Sequence, residues 1–240
     1  TAYREGGYNK DAKAYLRDFL SENPVVPGQH PGARQALQLA DVHYNIGDIL
    51  TSEGDYKKAF SHFKAAVRYN PQSARIRSRQ VLATAQAGEV ALAINLAEKM
   101  NIEQPNSPET LTLLGDVLVL AREKLLAVDA YNAALKINPR TIPAINSLAW
   151  IHATSEEDIV RNAVRAVGLA EFLMKAPGAT KNAEFLMTLA AAHAEAGNFK
   201  KASEVASQAV ARAKHNENDE TITRIELFSK KIREGQPVRD

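Results

Sequence analysis

The sequence predicts an all-α chain of repeated antiparallel helix pairs, and three observations carry that prediction. Pro71, Pro105 and Pro139 recur every 34 residues, the length of one helix–turn–helix unit. Leu111, Leu114, Gly115 and Leu118 fall at i, i+3, i+4 and i+7, one face of a helix. Ala127, Tyr131 and Ala134 repeat that face after a turn, and Asn138-Pro139 ends it. The composition agrees: 240 residues, 45% hydrophobic and 24% charged but only 6% aromatic, which suits an alanine-rich helical protein with an extended core.

Residues 1–24 read as the second half of a unit, because Gly7, Ala12, Leu16 and Pro24 fall where Gly88, Ala93, Ala97 and Pro105 fall later. The first helix of that unit is mostly missing, so further units are expected upstream. Residues 25–39 form a Pro/Gly loop and a helix extension: Pro24–Gly32 holds three prolines and two glycines in nine residues and cannot continue a helix. The next helix is expected to begin early, near Ala33, and to run to about Glu53. Full units follow at 40–73, 74–107 and 108–141, the second of them degenerate, with Val81 in place of a packing glycine. Residues 142–182 form an expanded unit with about five inserted residues in the stretch SEEDIVRNA, where Ser155 and the acids behind it predict a capped helix start. A regular unit spans 183–216, its second helix running to about His215. Residues 217–240 supply a last helix, about Glu220–Arg233, and a tail from Gln236 that is expected to fray.

Within 40–73, Ile46-Gly47, Leu50, Gly54, Tyr56, Ala59, Phe63, Ala66 and Pro71 match the tetratricopeptide pattern of a large residue, Leu-Gly, an aromatic or Leu, Ala, an aromatic and Pro. The chain resembles the tetratricopeptide repeat (TPR) family over nearly all its length. That resemblance implies a right-handed superhelical solenoid of about five hairpins plus a C-terminal capping helix, with 1–240 as a single array. It also implies a non-catalytic protein-interaction scaffold. From Ile145 onward, the run LAWIHAT…FLMTLAAAHAEAGNFKKA…RIELFSKKIREGQP resembles the closing segment of many bacterial multi-repeat proteins, which implies a bacterial source and a natural C-terminus.

In TPR proteins the first helix of each pair lines the concave face, where peptides lie. Carried over by repeat position, that face presents Asp41, Tyr44, Asn45 and Asp48, then Arg75, Ser78 and Arg79. Glu109, Thr112 and Asp116 follow, then Asn146 and Trp150, then Glu184, Met187 and Thr188. The candidate ligand-binding residues are Tyr44, Asp48, Arg75, Arg79, Thr112, Asp116, Asn146 and Trp150. Of the arginines at 75, 77 and 79, only Arg75 and Arg79 share a helix face. They would anchor an acidic or carboxylate-bearing segment through bidentate guanidinium bonds, or else stand solvated or paired with Asp48 and Asp116. Trp150, the one tryptophan, is either a groove anchor or a packing residue beside the insertion. Tyr44 and Asp48 stand where chaperone-binding TPR clamps carry Lys and Asn, and Asp48 would repel the carboxylate such clamps hold.

The sequence argues against other classes. Six histidines show no metal-ligand spacing, and there is no cysteine, so no metal, cofactor or catalytic residue is assigned. A net charge of +2 leaves no basic stripe for nucleic acid. No apolar run reaches the roughly 18 residues of a membrane span. The alternatives are a recognition or assembly arm of a larger enzyme or of a secretion- or polysaccharide-type complex, and self-association through the N-terminal edge. Compartment and pathway are not written in the residues.

Overall fold

The structure is a computed structural model that describes residues 6–24, 31–216 and 219–240. It divides into two compact units, Thr1–Glu103 and Gln104–Asp240. Both are all-α; among the described residues there is no strand. This is a helical repeat of antiparallel pairs, as the 34-residue spacing predicts.

The first unit holds α1 (Gly6–Glu22), α2 (Ala33–Ser52), α3 (Tyr56–Tyr69), α4 (Ala74–Gln86) and α5 (Val90–Glu103). α2 begins at Ala33; the loop expected before it lies mostly outside the described residues. Asp55 and Ser73 cap α3 and α4 by accepting from the Lys58 and Ile76 amides, each satisfying a donor the first helical turn cannot. Gly54 and Gly88 hold left-handed φ of 76° and 94° and close the turns after α2 and α4. There the Asp55 and Glu89 amides reach back to the carbonyls of Leu50 and Thr84, a Schellman closure that favours glycine. Leu16, Phe19 and Leu20 of α1 pack on the core made by Ile46, Phe63 and Ile76.

The second unit holds α6 (Pro108–Leu120), α7 (Lys124–Ile137), α8 (Ile142–Thr154), α9 (Ala163–Leu173), a 3-10 turn at Ala179–Lys181, α10 (Ala183–Glu195), α11 (Phe199–Asn216) and α12 (Asp219–Arg233). The turns after α6 and α10 close as in the first unit, the Glu123 and Asn198 amides bonding the carbonyls of Leu118 and His193. Gly197 fills the left-handed position in one, whereas Arg122 takes it in the other at φ 64°. Ile225, Phe228 and Ile232 of α12 seal the core left open by α10 and α11.

Helix contacts within each pair follow a size rule. Gly47 faces Phe63 and Gly115 faces Tyr131, so close that a Cβ on either glycine would stand 2.8 or 2.5 Å from a ring carbon. Where the glycine is replaced by Val81, Ala149 or Ala190, the partner position 16 residues on, or 21 across the insertion, carries Ala97, Ala170 or Ala206. All six are buried. No crossing carries two large side chains: a ring faces glycine, valine faces alanine, and the last two pair alanine with alanine.

Two expectations are corrected. Ser155 does not start a helix: its hydroxyl accepts from the Glu157 amide in a turn, and α9 begins at Ala163, capped by Asn162. The loop is folded by non-local bonds that a cap pattern cannot reveal. The Asn162 amide bonds the His152 carbonyl, and the Arg161 guanidinium takes the carbonyls of Ser155 and Glu156. Nor is the tail from Gln236 frayed. α12 ends on Gly235, φ 73°, and the chain folds back with Val238 wholly buried and the Asp240 amide on the Thr154 carbonyl at 3.0 Å.

Candidate functional site

In the first unit the sequence candidates meet on α2 and α4. Gly47 lets Phe63 approach, and the Phe63 ring supports Tyr44 edge-on at 5.7 Å. Tyr44 is therefore a fixed shelf, 6% exposed. The Arg75 guanidinium lies over it at 4.1 Å from the ring centroid, a cation–π contact of about 0.5–1 kcal/mol at an exposed site. Arg79, one turn on, sets its Nε 3.5 Å from the Tyr44 hydroxyl and 3.2 Å from Asp48 Oδ1. The N–H is directed at the hydroxyl, so the contact with Asp48 is electrostatic, and Asp48 Oδ1 is buried without a hydrogen-bond donor. Arg77 points elsewhere and pairs with Glu103 at 2.6 Å, as its helix phase requires. Arg75 makes no ion pair among the described residues and is exposed.

The candidates of the second unit are mostly engaged. Thr112 is buried and gives its hydroxyl to the Pro108 carbonyl at 2.6 Å. Asp116 accepts from the Tyr131 hydroxyl at 2.7 Å. Burial holds its carboxyl above the usual range and outweighs its bonds from Tyr131 and Ser147. Burial, and then the charge of Asp116, likewise pushes the Tyr131 phenol up. Asn146 Oδ1 accepts from the Thr188 hydroxyl at 2.8 Å, while Met187 and Thr188 are buried and Glu184 pairs with Arg224 on α12. Trp150 is half-buried, 5.6 Å from the Phe228 ring, and its indole N–H donates to Asp240 Oδ2 at 2.8 Å. It is both packing and contact.

What the sequence reading missed is the segment that covers Trp150. Arg239 Nη1 lies 2.7 Å from Glu195 Oε2, and Arg161 Nε 3.2 Å from Oε1 of the same carboxylate. The one signal in the residues is Val238, a branched apolar side chain in a short tail that otherwise ends in charged residues.

His43, His62, His152 and His193 are internal fixtures. His43 Nδ1 and His62 Nδ1 stand 3.0 Å apart, so one ring must donate to the other. Burial and the neighbouring His62 lower His43 to about 4, and burial with Arg17 nearby lowers His62. His152 gives its Nδ1 proton to the Val160 carbonyl at 2.7 Å. Burial lowers it despite that bond. Burial also lowers His193. Among the described residues no three His, Asp or Glu side chains converge as a metal site needs, and no helix is long and apolar enough to cross a membrane.

Residues 40–73 match the family model of the tetratricopeptide repeat. A stretch of 102 residues is 28% identical to the Hsp70-Hsp90 organizing protein of Triticum aestivum, covering 42% of this chain and only 18% of that relative. The crystal structure of a thermophilic TPR protein from Thermus thermophilus superposes with a TM-score of 0.63 at 17% identity, over 84% of this chain and 98% of the other. A tetratricopeptide repeat protein from Parabacteroides merdae superposes with a TM-score of 0.56 at 15% identity, over 95% of each chain. At such identities the superpositions establish the fold. Residues 40–73 match a tetratricopeptide repeat, and the chain has the helical-repeat fold of tetratricopeptide-repeat proteins, a class whose members generally mediate protein–protein interaction.

Proposed function

We propose that this chain is a non-catalytic scaffold that holds a peptide or partner protein on the faces of its first helices. In the first unit, the Tyr44–Arg75 shelf takes an acidic or carboxylate-bearing segment. The observation that carries the reading is Arg75: an exposed guanidinium held over a buried ring, beside a second arginine, with no acid of its own among the described residues. Pre-positioning lowers the ordering cost of each bond it makes, and its edge stays free for a carboxylate. The wheat relative is named for two chaperones. Asp48 disfavours a carboxylate seated on α2 in the manner of chaperone clamps, so the acidic group is placed over α4.

The test is fluorescence anisotropy with a labelled hexaglutamate peptide. Saturable binding is expected, weakening as salt rises. Arg75→Ala should weaken it about tenfold, the 1.4 kcal/mol scale of a modest hot spot. Equal affinity for the Arg75→Ala protein would remove the shelf from the site.

A further inference from the structure

The closing residues of the second unit lie in a built socket. Val238 is wholly buried in the core shared by α8, α10 and α12. Arg239 is held by Glu195, whose side chain is 14% exposed and already anchored by Arg161 from the inserted loop. Asp240 is held at three points: its amide by the Thr154 carbonyl at 3.0 Å, its carboxylate by the Trp150 indole at 2.8 Å, and its carbonyl by Lys124. An apolar, a cationic and an anionic residue in sequence each meet a complementary partner. The polar partners come from three places in the fold, the start of α7, the last turns of α8 and the end of α10, and the inserted loop steadies the last of them through Arg161.

The contacts have the form of peptide recognition rather than of chain continuation. The segment leaves the helix after the turn at Gly235 and runs on without helix or strand. The Asp240 amide and carbonyl are each bonded, and three consecutive side chains each meet their own partner, so main-chain bonds and side-chain contacts share the recognition as they do for bound peptides. The insertion that distinguishes 142–182 from a plain repeat contributes Arg161, which fixes the carboxylate that Arg239 meets. We propose that Lys124, Trp150, Thr154 and Glu195 form a recognition site for a peptide of apolar–arginine–aspartate pattern, and that residues 238–240 occupy it in cis. This deepens the scaffold reading by naming a second site and its ligand class. It stands apart from the Arg75 shelf. A tethered segment competes at an effective concentration of about millimolar, so a partner peptide enters only as the segment leaves.

The experiment uses the full chain, its lone tryptophan as reporter, and the labelled hexapeptide Gly-Gln-Pro-Val-Arg-Asp. Arg239→Glu sets two carboxylates against each other and should release the segment without altering the helices, with a red shift of Trp150 emission. The hexapeptide should then bind at least tenfold more tightly than to the unaltered chain and reverse the shift. A control peptide with Glu in place of Arg should not bind. A helical Arg239→Glu protein that ignores the hexapeptide would overturn the proposal, as would equal binding of both peptides.

Hydrogen exchange on the unaltered chain gives a second reading if that variant does not fold. The Asp240 amide should exchange at least about tenfold faster than the core amides of α10, the signature of local opening. Equal rates would mean the segment leaves only when the unit unfolds, and would overturn the proposal. Arg75→Ala should leave hexapeptide binding unchanged, so failure of the acidic-segment reading is told apart from failure of this one.

Discussion

The two units use the same repeat differently. At the same repeat position Phe63 in the first and Tyr131 in the second press on a glycine. The Phe63 ring has no polar tip, and the face above it is left to Tyr44, Arg75 and Arg79, an open and cationic surface. The Tyr131 hydroxyl reaches through to Asp116, Asn146 is taken by Thr188, and Trp150 is covered by Asp240. One unit presents charge; the other spends its polar groups internally and fills the remaining place with its own chain. Repeat position alone therefore does not say which side chains are free to bind. The neighbouring helix decides that.

Acid offers the broadest way to break both units. His43, His62, His152 and His193 all have folded pKa values below the usual 6.5, chiefly through burial. A depressed histidine contributes stability that is whole above its unfolded pKa and lost as pH falls through the folded one. Thermal melts should therefore hold from pH 8 to about 6.5 and drop steeply toward about 4, where His43 titrates. A flat midpoint across that window would contradict the neutral, buried imidazoles. Ala127 is wholly buried against α6, so Ala127→Leu should lower stability by about 3 kcal/mol through overpacking. An unchanged urea midpoint would undo the register.

The glycine pair sharpens the contrast between the units. Gly115→Ala drives a methyl to 2.5 Å from a ring whose hydroxyl is tied to Asp116. The clash should outweigh the helix gain and leave a net loss of about 1–2 kcal/mol. Gly47→Ala meets Phe63 at 2.8 Å, and that ring has no such tether, so denaturant melts should stay within about 1 kcal/mol of the parent. Equal losses would mean that the Tyr131–Asp116 bond does not stiffen the second unit. Smallest, Arg122→Gly relieves a left-handed φ of 64° in the turn where other pairs carry glycine. It should raise stability by about 1 kcal/mol, read as an upward shift of the melting midpoint.

The helices and their turns were legible in the residues because each rests on contacts a few positions apart. Gly54 and Gly88 fall in the turns and the 34-residue prolines at the ends of units, whereas the one cap read from the residues, Ser155, sits in a turn of the inserted loop. The early start of α2 at Ala33 followed from the same counting. The site was legible only as a set of positions. A pairing of the arginines with Asp48 was among the readings left open, and Arg79 Nε lies 3.2 Å from Asp48 Oδ1, whereas its contact with the Tyr44 hydroxyl was not foreseen. That Arg75 would lie over the Tyr44 ring was not foreseen, because the support passes from Gly47 through Phe63 across a helix pair.

By itself the sequence determined an all-α tetratricopeptide array, its phase, its inserted stretch and its final helix, because hydrophobic period and turn chemistry are local and repeat. The tertiary structure alone decided which polar side chains are free. Asp116 is claimed by Tyr131, 15 residues away, Asn146 by Thr188 at 42, Trp150 by Asp240 at 90, and the Asp240 carbonyl by Lys124 at 116. Pairings at such separations depend on where whole helices come to rest, and no periodicity within a repeat encodes them.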